Sequence, residues 1–315
     1  MRIVLTALLG ASLSTATGAW ANCGSAFCAV NTNWNIQGVP TATGTARMDL
    51  RYEYIDQNRP WSGSHRAESA GDEEARETRT INRNLLATFD FAVSEHWGIT
   101  ASVPIVSRSH SHVADPEGSA TPESWNFTRL GDARVLASWR RTDAVEPTAA
   151  TGVLFGLKLP TGPFRVTNAE GVPAERSLQP GTGSTDLVVG LFATQPARNG
   201  ALWFAQATFQ SPVATKEDYR PGNLFVATGG YRHPFTLHVT GILQVNATAR
   251  TRDGGANAEP TVTGGQFVFV SPGISWGLSP ATEVYAFAQL PIYRHTNGAQ
   301  LTFDWAIVTG ITRRF

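Results

Sequence analysis

Near the start of the chain, Arg47, Asp49, Arg51 and Glu53 alternate with Met48, Leu50, Tyr52 and Tyr54. Period two puts all four charges on one face of a strand. In a soluble sheet that face would be solvated; in a closed barrel it would line the lumen. Asp90, Asp132, Arg134, Arg140, Asp304 and Arg314 take the same polar positions in later alternating segments. Mixed-sign charges of this kind can satisfy one another and brace a wall. They can also form a constriction that selects small polar or amphipathic solutes by charge and size. Closure of a barrel sets the first and last strands side by side, so Arg47, Asp49, Arg51 and Asp304 are expected to form one network.

Other reactive residues give weaker patterns. Cys23 and Cys28 are the only cysteines, in CGSAFC. In an exported chain they are expected to form a small disulfide loop. Two thiolates alone do not complete a zinc site, and the C-x-x-C-H of haem attachment is missing. His110 and His112 form H-x-H within a polar stretch, Ser107 to Ser124, that reads as a loop. On a strand that spacing would let both imidazoles share a metal; in a loop without a clear carboxylate partner it reads as solvated. No metal and no cofactor is therefore expected. No serine stands in a nucleophile-elbow context. Gly181-Thr182-Gly183-Ser184-Thr185 lacks the Lys of a phosphate-binding loop. A lipid-active enzyme would need a Ser, a His and an orienting group at the outer rim, and the sequence singles out none, so no enzymatic activity is expected.

The elements that must position these residues are strands. Alternation recurs in Ile81 to Val93, Trp97 to Val106, Phe127 to Arg140, Thr151 to Leu159 and on to the last stretch, Leu301 to Phe315. There Trp305, Ile307 and Ile311 oppose Ala306, Val308 and Thr312, and the chain stops on Phe315. About twelve strands result. Their connections alternate between long polar loops and short turns, as extracellular loops and periplasmic turns do in membrane barrels. Asp56 to Arg79 reads as a surface loop with some helical character.

The totals agree. Only 16% of the 315 residues are charged, while Gly numbers 30 and Trp 9. No stretch beyond the N-terminus approaches the length of a spanning helix, and zero net charge argues against nucleic acid. Residues 1–21 read as a signal peptide, with Arg2, an apolar run from Ile3 to Leu9, and Ala19-Trp20-Ala21 at the cleavage site. Residues 22–43 are expected to lie on the periplasmic side, with Trp34 at the interface, and residues 44–315 to form the barrel.

Gly156-Leu157-Lys158-Leu159-Pro160-Thr161-Gly162, then Gln179-Pro180-Gly181-Thr182-Gly183-Ser184-Thr185-Asp186, resembles the outer-membrane transporter family grouped under the meta-pathway of phenol degradation. That family shows K-x-P-x-G and then P-G-x-G-S-x-D across one loop. The resemblance implies an outer-membrane channel for hydrophobic or aromatic compounds. Read from the residues alone, Pro160 and Gly162 end a strand and Gly181 and Gly183 permit a tight return, with a gate folded inward as the functional alternative. The expectation is an all-β chain: a transmembrane antiparallel up-and-down barrel in the outer membrane of a Gram-negative bacterium. Its expected partners are outer-membrane lipid, the insertion machinery that reads a C-terminal Phe such as Phe315, and a small-molecule solute. The expected function is passive uptake; the alternative is a plugged structural or adhesive barrel presenting its loops.

Overall fold

The structure, a computed structural model, describes residues 30, 32, 42–71, 75–114, 120–143 and 149–315. Cys23, Cys28 and Trp34 lie outside the described residues, as does the expected signal peptide. Twelve strands build the wall: β1 (Ala46–Gln57), β2 (Ala75–Ala92), β3 (Trp97–Ala114), β4 (Ala133–Thr142), β5 (Ala150–Leu159), β6 (Thr185–Pro196), β7 (Leu202–Ala214), β8 (Leu224–Pro234), β9 (Val239–Arg250), β10 (Gly265–Ser279), β11 (Thr282–Thr302) and β12 (Ala306–Arg314). Each pairs antiparallel with its chain neighbours. β12 also pairs with β1, Arg314 opposite Arg47 and Ala306 opposite Ile55, so the sheet closes on itself. Closure leaves no unpaired edge, which is the condition for β-structure in hydrocarbon.

Alternation decides which side chain faces lipid. Val103, Phe155, Leu191, Leu243 and Ile307 point outward and are exposed. Trp97, Trp139, Trp203 and Trp276 are exposed at the ends of their strands next to the short turns, where an aromatic girdle meets the headgroups. The chain is an outer-membrane barrel.

Inward aromatics are held against the wall by glycine. Phe192 faces Gly152, Phe204 faces Gly230, Phe287 faces Gly273 and Tyr285 faces Gly310 across neighbouring strands. At each of these glycines a Cβ would collide with the facing ring. The ring therefore lies flat over bare backbone, a device that pins register in curved sheets.

Several boundaries differ from the sequence expectation. β3 continues to Ala114, so the stretch from Ser107 is strand rather than loop. The expected strand Phe127 to Arg140 breaks at Gly131-Asp132. Its outer part, Thr121–Leu130, pairs with the upper half of β3, and β4 pairs with the lower half. The residues of Asp56 to Arg79 that are described contain no helix; they extend β1 and β2 and add short strands, among them Arg59–Gly63. That strand pairs with residues 296–302, which belong to β11 rather than to a loop and the last strand. β12 is correspondingly short.

Candidate functional site

The lumen has two levels. The lower one, towards the short turns, is built on β1. Arg47 Nε lies 3.2 Å from Asp90 Oδ2 with both side chains buried, and Asp90 also accepts from Thr100 Oγ1 at 2.6 Å. Arg51 and Glu53 pair at 2.9 Å. Asp49 accepts hydroxyl hydrogen bonds from Thr312 at 2.6 Å, Tyr285 at 3.0 Å and Thr32 at 3.2 Å. Thr32 and Val30 precede the barrel, yet both are buried inside it. Arg47 donates to the Thr32 carbonyl and Arg51 to the Val30 carbonyl. Val30 packs with Phe204, Ile242, Tyr285, Phe287 and Val308, drawn from four strands of the wall. The sequence expected residues 22–43 on the periplasmic side; these two lie within the lumen, where Arg47 and Arg51 of β1 supply buried donors and the facing strands β7, β9, β11 and β12 supply an apolar floor.

The upper level is closed by residues 160–184. Lys158 on β5 reaches Asp132 and Asp186, each at 3.1 Å, and Ser184 at 3.0 Å, and it also bonds Thr182 Oγ1. Asp132 accepts from the backbone amides of Gly162 and Thr182. A Cβ on Gly181 would strike the backbone of Gly162. The Lys, Gly, Ser and Asp of the two motif elements thus form one knot that returns the chain inward. Beyond it, Arg176 stacks between Phe164 and Tyr219, 4.6 and 4.7 Å from the ring centroids, and bonds Glu217 at 3.1 Å. Leu178 packs into an apolar cluster with Val106, Trp125, Phe127 and Ala174. Arg108 bonds the Leu178 carbonyl.

Between the two levels lies a cavity of about 260 Å³, bordered by Arg51, Glu53, Asp132, Arg134, Asp186 and Arg250 among others. Arg250 is held by Asp253 at 2.7 Å. Arg134 makes no hydrogen bond or ion pair among the described residues, so its guanidinium is available to a solute in the cavity.

Of the charges singled out by pattern, Arg47, Asp49, Arg51, Glu53, Asp90, Asp132, Arg134 and Arg140 point inward. Asp304 lies elsewhere, and Arg314 keeps the inward register opposite Arg47 but does not join the buried network. Asp304 is at the far end of the seam, bonded to Arg59 at 2.6 Å and Arg294 at 3.1 Å. Antiparallel pairing sets the start of β1 against the end of β12, so Asp304 cannot meet Arg47. Arg314 is exposed at the opposite rim.

His110 and His112 are inward and buried, which corrects the solvated-loop reading. They rise above the lipid-facing band, where outward side chains of β3 become Ser107, Ser109 and Ser111. Burial, helped by His112 and Arg108, lowers the His110 pKa to about 3, so its ring is neutral. Burial also opposes charge on His112, but Glu175 and Glu123 outweigh it and hold its pKa above the ordinary value. Sequence reasoning missed Lys158, Glu175 and Arg108. The signal for β3 was present: Val106, Arg108, His110 and His112 keep strict alternation past Pro104.

At the outer rim Ser64 Oγ lies 2.9 Å from His295 Nδ1. Among the described residues no side chain bonds the other ring nitrogen, so the pair lacks the orienting member of a hydrolytic triad.

No family model and no curated protein sequence matches the chain. Solved structures do. An outer membrane channel from Pseudomonas putida F1 aligns over 88% of this chain and 98% of its own, at 9% identity and TM-score 0.64. The β domain of a Bordetella autotransporter aligns over 86% and 100%, at 10% identity and TM-score 0.46. The monoaromatic hydrocarbon channel CymD aligns over 95% and 94%, at 10% identity and TM-score 0.43. The first of these likenesses, with the closed seam and the aromatic girdle, identifies the fold: a twelve-stranded outer-membrane β-barrel.

Proposed function

We propose that this barrel is a channel for passive uptake of small amphipathic solutes, aromatic ones included, and that residues 160–184 are its constriction. The carrying observation is the cavity at mid-lumen with Arg134 on its wall, a guanidinium that makes no hydrogen bond or ion pair among the described residues. A planar guanidinium recognises a carboxylate or phenolate by paired hydrogen bonds, while Leu86, Val106 and Leu224 offer apolar wall to a ring. The motif resemblance to transporters of the phenol-degradation group, and the name of the Pseudomonas putida neighbour as an outer membrane channel, agree with this reading. We read the chain as non-enzymatic, since Ser64 and His295 lack a third partner among the described residues.

Single-channel recording in planar bilayers, with liposome swelling in benzoate, phenol and sucrose, tests it. The expected result is a small conductance, swelling in benzoate and phenol, and none in sucrose. A version lacking residues 165–177 should conduct more. A barrel that stays sealed to every solute, with and without that segment, would overturn the proposal.

A plugged structural barrel is the second reading. The seating of Val30 and Thr32 in the lumen favours it. It predicts that the intact barrel stays sealed to every solute and that removing residues 22–41 opens it.

A further inference from the structure

We propose that His110, His112 and Glu175 form a binding site for a divalent transition-metal ion of the zinc class, linking residues 160–184 to the barrel wall. The site stands apart from the cavity and does not depend on transport. One ligand atom from each residue lies within 4.8 Å of the others, and all three residues are buried. Bonds of about 2.1 Å in a tetrahedron need ligand atoms about 3.4 Å apart. His112 Nδ1 and Glu175 Oε1 are already at 3.7 Å, so the widest separation has to close by about 1.4 Å to complete the set.

The surroundings match what metal-binding imidazoles require. A ligating His usually has its second ring nitrogen hydrogen-bonded to a carboxylate or another oxygen. Here His110 Nδ1 shares a hydrogen bond with Thr80 Oγ1 at 2.8 Å. His112 Nε2 lies 3.1 Å from Glu123 Oε2. His110 Nε2 is buried and makes no hydrogen bond, and His112 Nδ1 faces the Glu175 carboxylate at 3.7 Å, beyond hydrogen-bond length. Such orphaned acceptors or donors are costly without a partner. Glu77 and Glu123 flank His112 in register on the neighbouring strands, so a further carboxylate is at hand. Trp125 packs against both imidazoles, at 5.7 and 4.8 Å, which fixes the rings and keeps water out. Two imidazoles and a carboxylate suit zinc, nickel or copper rather than calcium or magnesium.

The two histidines come from β3 and Glu175 from the inward segment, so a bound ion joins a wall strand to the closure of the lumen. The test titrates zinc chloride into the chelator-stripped, detergent-solubilised full barrel by calorimetry. Wild type should bind one equivalent. Glu123→Gln should weaken binding about tenfold, Glu175→Gln should weaken it further, and His110→Ala with His112→Ala should abolish it. Anomalous diffraction at the zinc edge should place the ion within bonding distance of all three residues. Absence of binding by wild type would overturn the proposal. So would undiminished binding by the double variant, which would assign the zinc to other donors such as Cys23 and Cys28. Heat-modifiable migration in electrophoresis reports whether each variant is folded. If the double variant is not, undiminished binding by Glu175→Gln overturns the proposal by itself.

Discussion

Lys158 is a single buried ammonium between two buried carboxylates. Deleting one partner of a buried ionic set costs about 3–5 kcal/mol, because the remaining charges lose their compensation. Lys158→Met leaves Asp132 and Asp186 facing one another and should lower the thermal midpoint sharply. Trypsin should then cut after Arg165 and Arg176, since the knot no longer returns the chain inward. Adding Asp132→Asn and Asp186→Asn to Lys158→Met should recover part of the loss, because the like-charge repulsion goes with them; a further loss instead would show that the knot does not work through charge. Arg134 predicts the opposite behaviour. It makes no hydrogen bond or ion pair among the described residues, although Asp186 and Asp132 attract it from nearby, so Arg134→Gln should cost less stability than Lys158→Met, about 1 kcal/mol, while reversal potentials should shift towards less preference for anions. The charged face of β1 was legible from spacing alone. Lys158 was not, because its motif reads equally well as turn chemistry, and nothing in a linear sequence reveals that Asp132 lies opposite.

Strands were legible wherever alternation was apolar on the outward side, since lipid demands it over about ten residues. Above that band the outward side chains of β3 turn to serine, and polar-polar alternation resembles a loop. That is why His110 and His112 were misplaced although their spacing was correct. The seam was misplaced for a related reason: residues 296–302 pair with Arg59–Gly63 in water, outside the rule that makes strands readable. The facing glycine–aromatic pairs were equally hidden, since they exist only once register is set. They can be tested on one strand. Gly273→Val should force the Phe287 ring off the wall, at the typical overpacking cost of about 1–3 kcal/mol. Gly277→Val, four residues away, where an added Cβ would meet only the His238 carbonyl at an ordinary contact distance of 3.8 Å, should cost much less. Equal losses at the two positions would show that ring placement has no part in the effect.

Closure and plugging meet at one carboxylate. Asp49 sits on β1, accepts from Tyr285 on β11 and Thr312 on β12, and also accepts from Thr32 of the segment inside the lumen. The same group therefore joins three strands at the seam and anchors what lies within them. Hydrogen bonds to a charged acceptor contribute about 1.5–3 kcal/mol each. Asp49→Ala strands three buried hydroxyl donors, so it should both destabilise the barrel and loosen the inner segment. Thr32→Val separates the two effects. It removes one donor of similar shape and leaves the bonds of Asp49 to Tyr285 and Thr312 in place. If the segment at Val30 and Thr32 is a removable plug, Thr32→Val should raise single-channel conductance with little change in the thermal midpoint, and Asp49→Ala should raise conductance and lower the midpoint together. If that segment is instead part of the core, as the packing of Val30 against four strands would have it, Thr32→Val should lower the midpoint without opening any path. The pair of measurements thus decides whether the lower lumen is a gate or a floor.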